Sequence, residues 1–234
     1  MGMKRAGMIA GLVGVAAVLA GCGLGGPLDE DTKSYDVGDK VAGIRVVADS
    51  GNVEVVESDR QGIHVTEHLV WRKNKPETSH AVQGDTLALT YKCPRTWGLG
   101  SAGTSCDVDY KVEVPKGLRV KVSTDSGDLT LTDLSGEVDV HSDSGMIEAT
   151  GLSGKRVVTE TDSGDTELAF TAQPDKVVGT SDSGGITVRV PQGPYKVVAK
   201  TDSGDKNITA ANDASAPRTI EVSSDSGDLE VATP

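Results

Sequence analysis

The chain has 234 residues, with 35 acidic against 23 basic side chains and a net charge of −12. That balance argues against nucleic acid and anionic lipid headgroups as partners, because both select basic patches. Aromatic residues make up 3% of the chain and Phe170 is its single phenylalanine, few for a compact core of this size but enough for a narrow one filled by Val, Leu and Ile.

Residues 1–21 read as a lipoprotein signal peptide. Lys4 and Arg5 give a basic start, Ala6–Ala20 is small and apolar, and Leu19-Ala20-Gly21-Cys22 follows. The apolar run is too short to span a bilayer and has the order of an export signal. Its last four residues resemble the bacterial lipobox, which implies cleavage before Cys22 and a lipid, palmitate included, on that cysteine. The expected location is the outer face of the bacterial cell membrane. Removing residues 1–21 leaves 213 residues and a charge of −14, since Lys4 and Arg5 go with them. Residues 22–40 are Gly-rich, then acidic, without apolar period, and read as a flexible tether.

Residues 41–234 read as one β domain. Within 41–117, Gly62–Trp71, Thr86–Cys93 and Asp107–Val114 alternate apolar and polar residues and predict strands. Asn74–Gln83 and Cys93–Cys106 read as loops, and Pro115-Lys116-Gly117 as a turn. With Cys22 lipidated, Cys93 and Cys106 remain, and outside the cytoplasm they should form a disulfide. The closed loop, which holds Trp97 and the run Gly98–Gly103, contributes about 3 kcal/mol in the loop-entropy picture. A redox or metal pair is the competing reading, and no adjacent His or third Cys supports it.

Residues 118–231 form a regular repeat built on Asp-Ser-Gly. The tripeptide occurs seven times: Asp49-Ser50-Gly51, Asp125-Ser126-Gly127, Asp143-Ser144-Gly145, Asp162-Ser163-Gly164, Asp182-Ser183-Gly184, Asp202-Ser203-Gly204 and Asp225-Ser226-Gly227. Seven residues before each glycine stands Ile44, Val120, Val138, Val157, Val177, Val197 or Ile220; two after stands Val53, Leu129, Ile147, Thr166, Ile186, Lys206 or Leu229. The unit is a short strand, a tight corner and a second short strand, with alternation pointing one set of side chains inward. Asp can bond a backbone N–H two residues on and Gly accepts positive φ, so the tripeptide reads as turn chemistry. From Gly127 the glycines are 18, 19, 20, 20 and 23 residues apart. A fixed period marks a repeat whose units bury their apolar faces only against one another. Ser-Gly at Gly136 and Gly154, and Pro191-Gln192-Gly193-Pro194, mark a second corner per coil. The fold class is therefore all-β: a single-stranded β-solenoid with two short strands per ~20-residue coil, preceded by an irregular β region at 41–117. Because the first Asp-Ser-Gly unit carries the same pattern, a continuous stack is favoured over a separate subdomain.

The export signal, the irregular β start, Val114-Pro115-Lys116-Gly117 and the following Asp-Ser-Gly units resemble the bacterial putative-adhesin β-solenoid family, a domain of unknown function. The resemblance spans about Val41–Val231, and the Gly- and Asp-rich style is similar to actinobacterial lipoproteins. It implies export or membrane tethering, with envelope-stress regulation in some members, and supplies no catalytic residues.

Three chemistries compete. Ser181-Asp182-Ser183-Gly184-Gly185 resembles the nucleophile segment of trypsin-like proteases, but the tripeptide recurs six more times, and none of His64, His68, His80 and His141 has the context of a catalytic base. Stacked coils would align Asp125, Asp143, Asp162, Asp182, Asp202 and Asp225, with Asp128, Asp165, Asp205 and Asp228 as a partial second column. Such oxygen ladders suit calcium, although the spacing differs from the calcium β-roll repeat; the competing role is corner capping. The third is surface recognition by flat faces of Ser, Thr and Asp. The reading is a non-enzymatic, lipid-anchored binding, adhesion or structural module without cofactor, calcium being the lesser alternative. Cell-wall polymer, glycan or an envelope protein is the expected partner. The alternative is an envelope-stress sensor bound to a membrane signalling protein. The last repeat, through Leu229 and Val231, is expected to form the open end of the stack, with 212–217 folding back as a polar cap or the edge left for strand addition.

Overall fold

The structure, a computed structural model, describes residues 27–94 and 104–233. The signal segment, Cys22, Trp97 and the run 98–103 lie outside the described residues. The described strands are β1 (Asp29–Val37), β2 (Gly43–Ser50), β3 (Val53–Glu57), β4 (Ile63–Arg72), β5 (Glu77–Gln83), β6 (Thr86–Lys92), β7 (Ser105–Val114), β8 (Arg119–Ser126), β9 (Leu129–Thr132), β10 (Val138–Ser144), β11 (Ile147–Leu152), β12 (Arg156–Ser163), β13 (Thr166–Phe170), β14 (Lys176–Ser183), β15 (Ile186–Arg189), β16 (Lys196–Ser203), β17 (Lys206–Ile208), β18 (Thr219–Ser226) and β19 (Leu229–Ala232).

They build two sheets, one of ten strands in the order β1-β4-β7-β3-β9-β11-β13-β15-β19-β17 and one of nine in the order β16-β18-β14-β12-β10-β8-β2-β6-β5. Each coil sends one strand to each sheet, and equivalent strands pair in parallel with equivalent residues in register: Val120, Val138 and Val157 align, as do Leu129, Ile147 and Thr166. The alternation then places Val120, Val122, Val138, Val140, Leu129, Leu131 and Ile147 between the sheets, all buried. Each such side chain contributes about 1.5–3 kcal/mol on burial. The stack is therefore a β-solenoid, and the first Asp-Ser-Gly unit joins it: β2 pairs with β8 and β3 with β9.

Two readings of the N-terminal part are corrected. Residues 29–37 are not a tether. They form β1, antiparallel to β4 through nine register pairs from Asp29↔Trp71 to Val37↔Ile63. Its side chains are mostly polar and are held by cross-strand contacts: Ser34 Oγ to Thr66 Oγ1 at 3.0 Å and Tyr35 Oη donating to Glu67 Oε1 at 2.7 Å. Residues 77–83, read as part of a loop, form β5 at the edge of the nine-stranded sheet, antiparallel to β6. An edge strand buries one face and one margin only, so it needs little apolar pattern.

The C-terminal end is also reordered. β18 pairs with β14 on one side and β16 on the other, and β19 lies between β15 and β17. The last Asp-Ser-Gly unit is thus inserted inside the stack, and the Gly204 unit is the terminal coil. The long 23-residue spacing is the path back. Residues 211–213 cover the start of β16: Tyr195 N–H donates to Ala211 O, Asp213 N–H to Tyr195 O, and Val197 N–H to Asn212 Oδ1 at 3.1 Å. The 212–217 insertion therefore does lie over the end, but over β16 rather than over the last repeat.

Candidate interaction surface

The Asp-Ser-Gly corners form one long margin of the stack. Asp and Ser continue the strand, and the corner itself is Gly plus the residue after it. From Gly127 onward each corner glycine rests on the glycine of the neighbouring coil, and Gly51 rests on the Val108 carbonyl of β7. A Cβ built on Gly164 would lie under 3.0 Å from the carbonyl oxygen of Gly145, and Gly145 stands in the same relation to Gly127. Gly164 also has φ +151°. Close backbone approach and positive φ both select glycine. The N–H of Gly145 donates to Ser163 O at 3.2 Å and that of Gly164 to Ser183 O at 3.1 Å, which ties successive corners together.

The side chains that secure the corners follow the glycine. Asp128 Oδ1 accepts Met146 N–H at 2.9 Å, Asp165 Oδ1 accepts Gly185 N–H at 2.7 Å, and Asp228 Oδ1 accepts Asp205 N–H at 2.8 Å. Asn52 Oδ1 does the same for Asp128 N–H at 3.0 Å, and Asp109 Oδ1 for Asn52 N–H at 2.7 Å. Each caps the next coil, not its own. The aspartates of the tripeptides do not make the expected self-capping bond. Asp49, Asp125, Asp162, Asp182, Asp202 and Asp225 are exposed and have no side-chain hydrogen bond or ion pair among the described residues, while Asp143 meets His141 Nε2 at 3.0 Å. Ser183, the protease-like serine, sits in the same row as Ser163 and Ser226 and uses its carbonyl in the corner ladder. Among the described residues no set of three or more His, Cys, Asp or Glu stands in metal-holding geometry.

Beneath the corners runs a buried row of small polar residues, Thr124, Ser142, Thr161, Ser181 and Ser224. Thr124 Oγ1 donates to Ser126 O and Ser224 Oγ to Gly184 O at 3.0 Å, which returns bonds to the corner backbone.

Opposite the acidic margin, the outward positions that open the strands carry cations: Arg119 on β8, Arg156 on β12, Lys176 on β14 and Lys196 on β16. Sequence inspection missed this row, although a cation eight residues before the corner glycine in four units was there to find. Arg119 pairs with Asp85 and Lys121 with Asp139 at 3.1 Å. Arg156, Lys176 and Lys196 have no acidic partner within 4.0 Å among the described residues. The net charge of −12 thus conceals two segregated margins.

The N-terminal end of the stack is closed by polar and aromatic contacts. Tyr35 of β1 stacks on His80 of β5 with centroids 4.4 Å apart, Lys33 Nζ donates to Thr78 Oγ1 at 3.1 Å, and Lys75 pairs with Asp31 and lies over the Trp71 ring. Below them Glu67 is buried, with Tyr110 near it. Burial, then Glu67, pushes both the Tyr35 and Tyr110 hydroxyls far above the ordinary tyrosine range. On the outer face the hydrogen bond from His64, reinforced by Arg60, holds the Asp36 carboxyl low. Cys93 and Cys106 form a disulfide with Cα atoms 5.9 Å apart, joining the end of β6 in one sheet to β7 in the other.

The solved structures most informative about this arrangement are distant in sequence. A putative cell adhesion protein from Clostridium sporogenes is 13% identical and superposes with a TM-score of 0.50 over 88% of this chain and 100% of its own. A putative adhesin from Bacteroides fragilis is 15% identical, with a TM-score of 0.50 over 87% of this chain and 97% of its own. At such identity the likeness establishes the fold alone. No curated protein matches the chain. The description of the Toastrack DUF4097 domain matches residues 104–232, which take in β7 and every regular coil. The chain belongs to the Toastrack DUF4097 family.

Proposed function

We propose that the chain is exported, anchored by lipid on Cys22 to the outer face of the bacterial cell membrane, and acts there as a non-enzymatic binding or adhesion module. The observation that carries the reading is the pair of continuous outer faces, ten and nine strands wide, on which exposed side chains repeat at strand spacing. Such rows suit a partner that itself repeats, so cell-wall polymer or glycan is the first candidate and an envelope protein the second. Structural neighbours described as a cell adhesion protein and an adhesin support the general class. The Leu19–Cys22 segment supports the anchor.

Pull-down from intact cells tests the binding reading. Recovery of cell-wall polymer is the expected result; recovery of a membrane signalling protein alone would replace it with the sensor reading. Hydrolytic turnover abolished by one substitution would overturn the non-enzymatic assignment. Cys22→Ala should release the chain from the membrane fraction, and undiminished retention with no lipid on the N-terminus would remove the anchor.

A further inference from the structure

The two charged margins of the nine-stranded sheet are built from the same strands. β8, β12, β14 and β16 each open on an outward cation and reach an outward aspartate six residues later: Arg119 and Asp125, Arg156 and Asp162, Lys176 and Asp182, Lys196 and Asp202. Six residues of strand span about 20 Å. On β12, β14 and β16 neither end has an ionic partner among the described residues. Arg156 stands directly opposite Lys176 in the strand register, and their aspartates are neighbours too, since Ser163 pairs with Ser183. Like charges directly opposite are destabilising, and here they are repeated along both margins. Between the margins the outward row carries Val158, Val178 and Val198, half-buried valines on a face that otherwise carries polar side chains. β18, between β14 and β16, contributes Thr219 and Glu221 to the same rows and its own Asp225.

An occupant of this face must satisfy both signs at this separation. A polyanion would neutralise the cations but be repelled by the aspartates and by the net charge of −12. The surface that carries both signs at the same separation is the face itself, turned around. We propose that this half of the nine-stranded sheet binds a second copy of the chain face to face, with strands antiparallel, about a twofold axis parallel to the stack. That operation sets Arg156 against Asp162 of the second copy, Lys176 against its Asp182 and Lys196 against its Asp202, and each contact occurs twice. The contact is isologous and closes as a dimer, uses aligned sheet-on-sheet packing, and covers the valine row. Charge complementarity fixes its register and makes it salt-dependent.

Sedimentation velocity of the full chain in nonionic detergent tests the proposal. At low salt the wild type should be dimeric, with the dimer dissociation constant rising at least tenfold when salt is raised well above physiological strength. Lys176→Glu alone and Asp182→Lys alone should each be monomeric while keeping the wild-type β circular dichroism. Mixing those two variants should restore a heterodimer, because each reversed residue then meets its reversed partner, and the doubly substituted chain should dimerise on its own. A wild type that is monomeric at low salt and micromolar concentration would overturn the proposal. So would a dimer indifferent to both reversals, or folded single variants that fail to pair when mixed. Binding of polyphosphate through Arg156, Lys176 and Lys196 to a chain that stays monomeric would also overturn it and assign the strip to a polyanion.

Discussion

Gly227 rests on Gly184, and Gly204 rests on Gly227: in each pair a Cβ on the first glycine would lie under 3.0 Å from the carbonyl oxygen of the second. Spatial order at this end is therefore 184, 227, 204, which differs from chain order. The corner glycines form one column because each coil brings its backbone into contact with the next at this position, wherever in the sequence that next coil lies.

This contact sets the first expected outcome. Gly164→Ala should destabilise the fold by at least about 2 kcal/mol, because the methyl group meets the Gly145 carbonyl and the backbone has positive φ. Gly38→Ala, where no atom lies within 4 Å of the added carbon, should change stability by less than about 0.5 kcal/mol. Urea denaturation of the two variants makes the comparison. Equal, small losses would mean that the corners tolerate a side chain and are not in contact.

The carboxylates after the glycines serve the neighbouring coil. Asp165→Ala leaves Gly185 N–H without its acceptor and should cost about 1 kcal/mol, whereas Asp165→Asn keeps an acceptor oxygen and should cost less. Millimolar calcium should leave the thermal midpoint of wild type and both variants unchanged. A calcium-dependent rise lost in Asp165→Asn would show that the oxygen binds a cation instead.

All four tyrosines have hydroxyls raised above their ordinary value, with burial the largest cause in each. A raised folded pKa means that the folded chain keeps protons that the unfolded chain gives up. The associated stability is complete below about pH 10, the unfolded value, and is lost as pH climbs above it. Absorbance titration should show little tyrosinate near pH 10 and then a cooperative rise that coincides with loss of the β circular dichroism signal. Independent ionisation near pH 10 with the fold intact would contradict the burial of Tyr35 and Tyr110.

Removing the disulfide by Cys93→Ala with Cys106→Ala should cost about 3 kcal/mol, from the loop it closes between residues 13 apart. Because it joins the two sheets beside β6 and β7, the loosening should concentrate in hydrogen exchange of β4 to β7 and leave β10 to β15 unchanged. Uniform loosening of the whole stack would show that the bridge acts only through the unfolded chain.

Much of this was legible in the sequence. The alternation around Asp-Ser-Gly gave the strands, the inward residues and the coil length, because a parallel in-register stack repeats one environment at each position. β1 and β5 were not legible, since Thr32, Ser34, Ser79 and Thr90 hold them by side-chain bonds rather than by an apolar period. The capping direction was misread because a turn motif suggests a bond within its own turn, and only the stack shows that Asp165 reaches Gly185. The terminal coil left a trace. Lys206 stands where the other units carry Val53, Leu129, Ile147, Thr166, Ile186 or Leu229 and is exposed there, and a charge, lysine above all, on an edge strand is a device that blunts an open edge. Atypical units belong at the ends of repeats.

Stack order is the central claim, because it builds both the acidic and the cationic margins, and amide hydrogen exchange resolved by residue tests it most directly. β18 and β19 (Thr219–Ser226 and Leu229–Ala232) are flanked on both sides and should exchange as slowly as β12 and β14, whereas β16 and β17 (Lys196–Ser203 and Lys206–Ile208), paired on one side only, should exchange faster. Fast exchange in β18 with strong protection throughout β16 would put the last unit at the end of the stack, in chain order, and contradict the account.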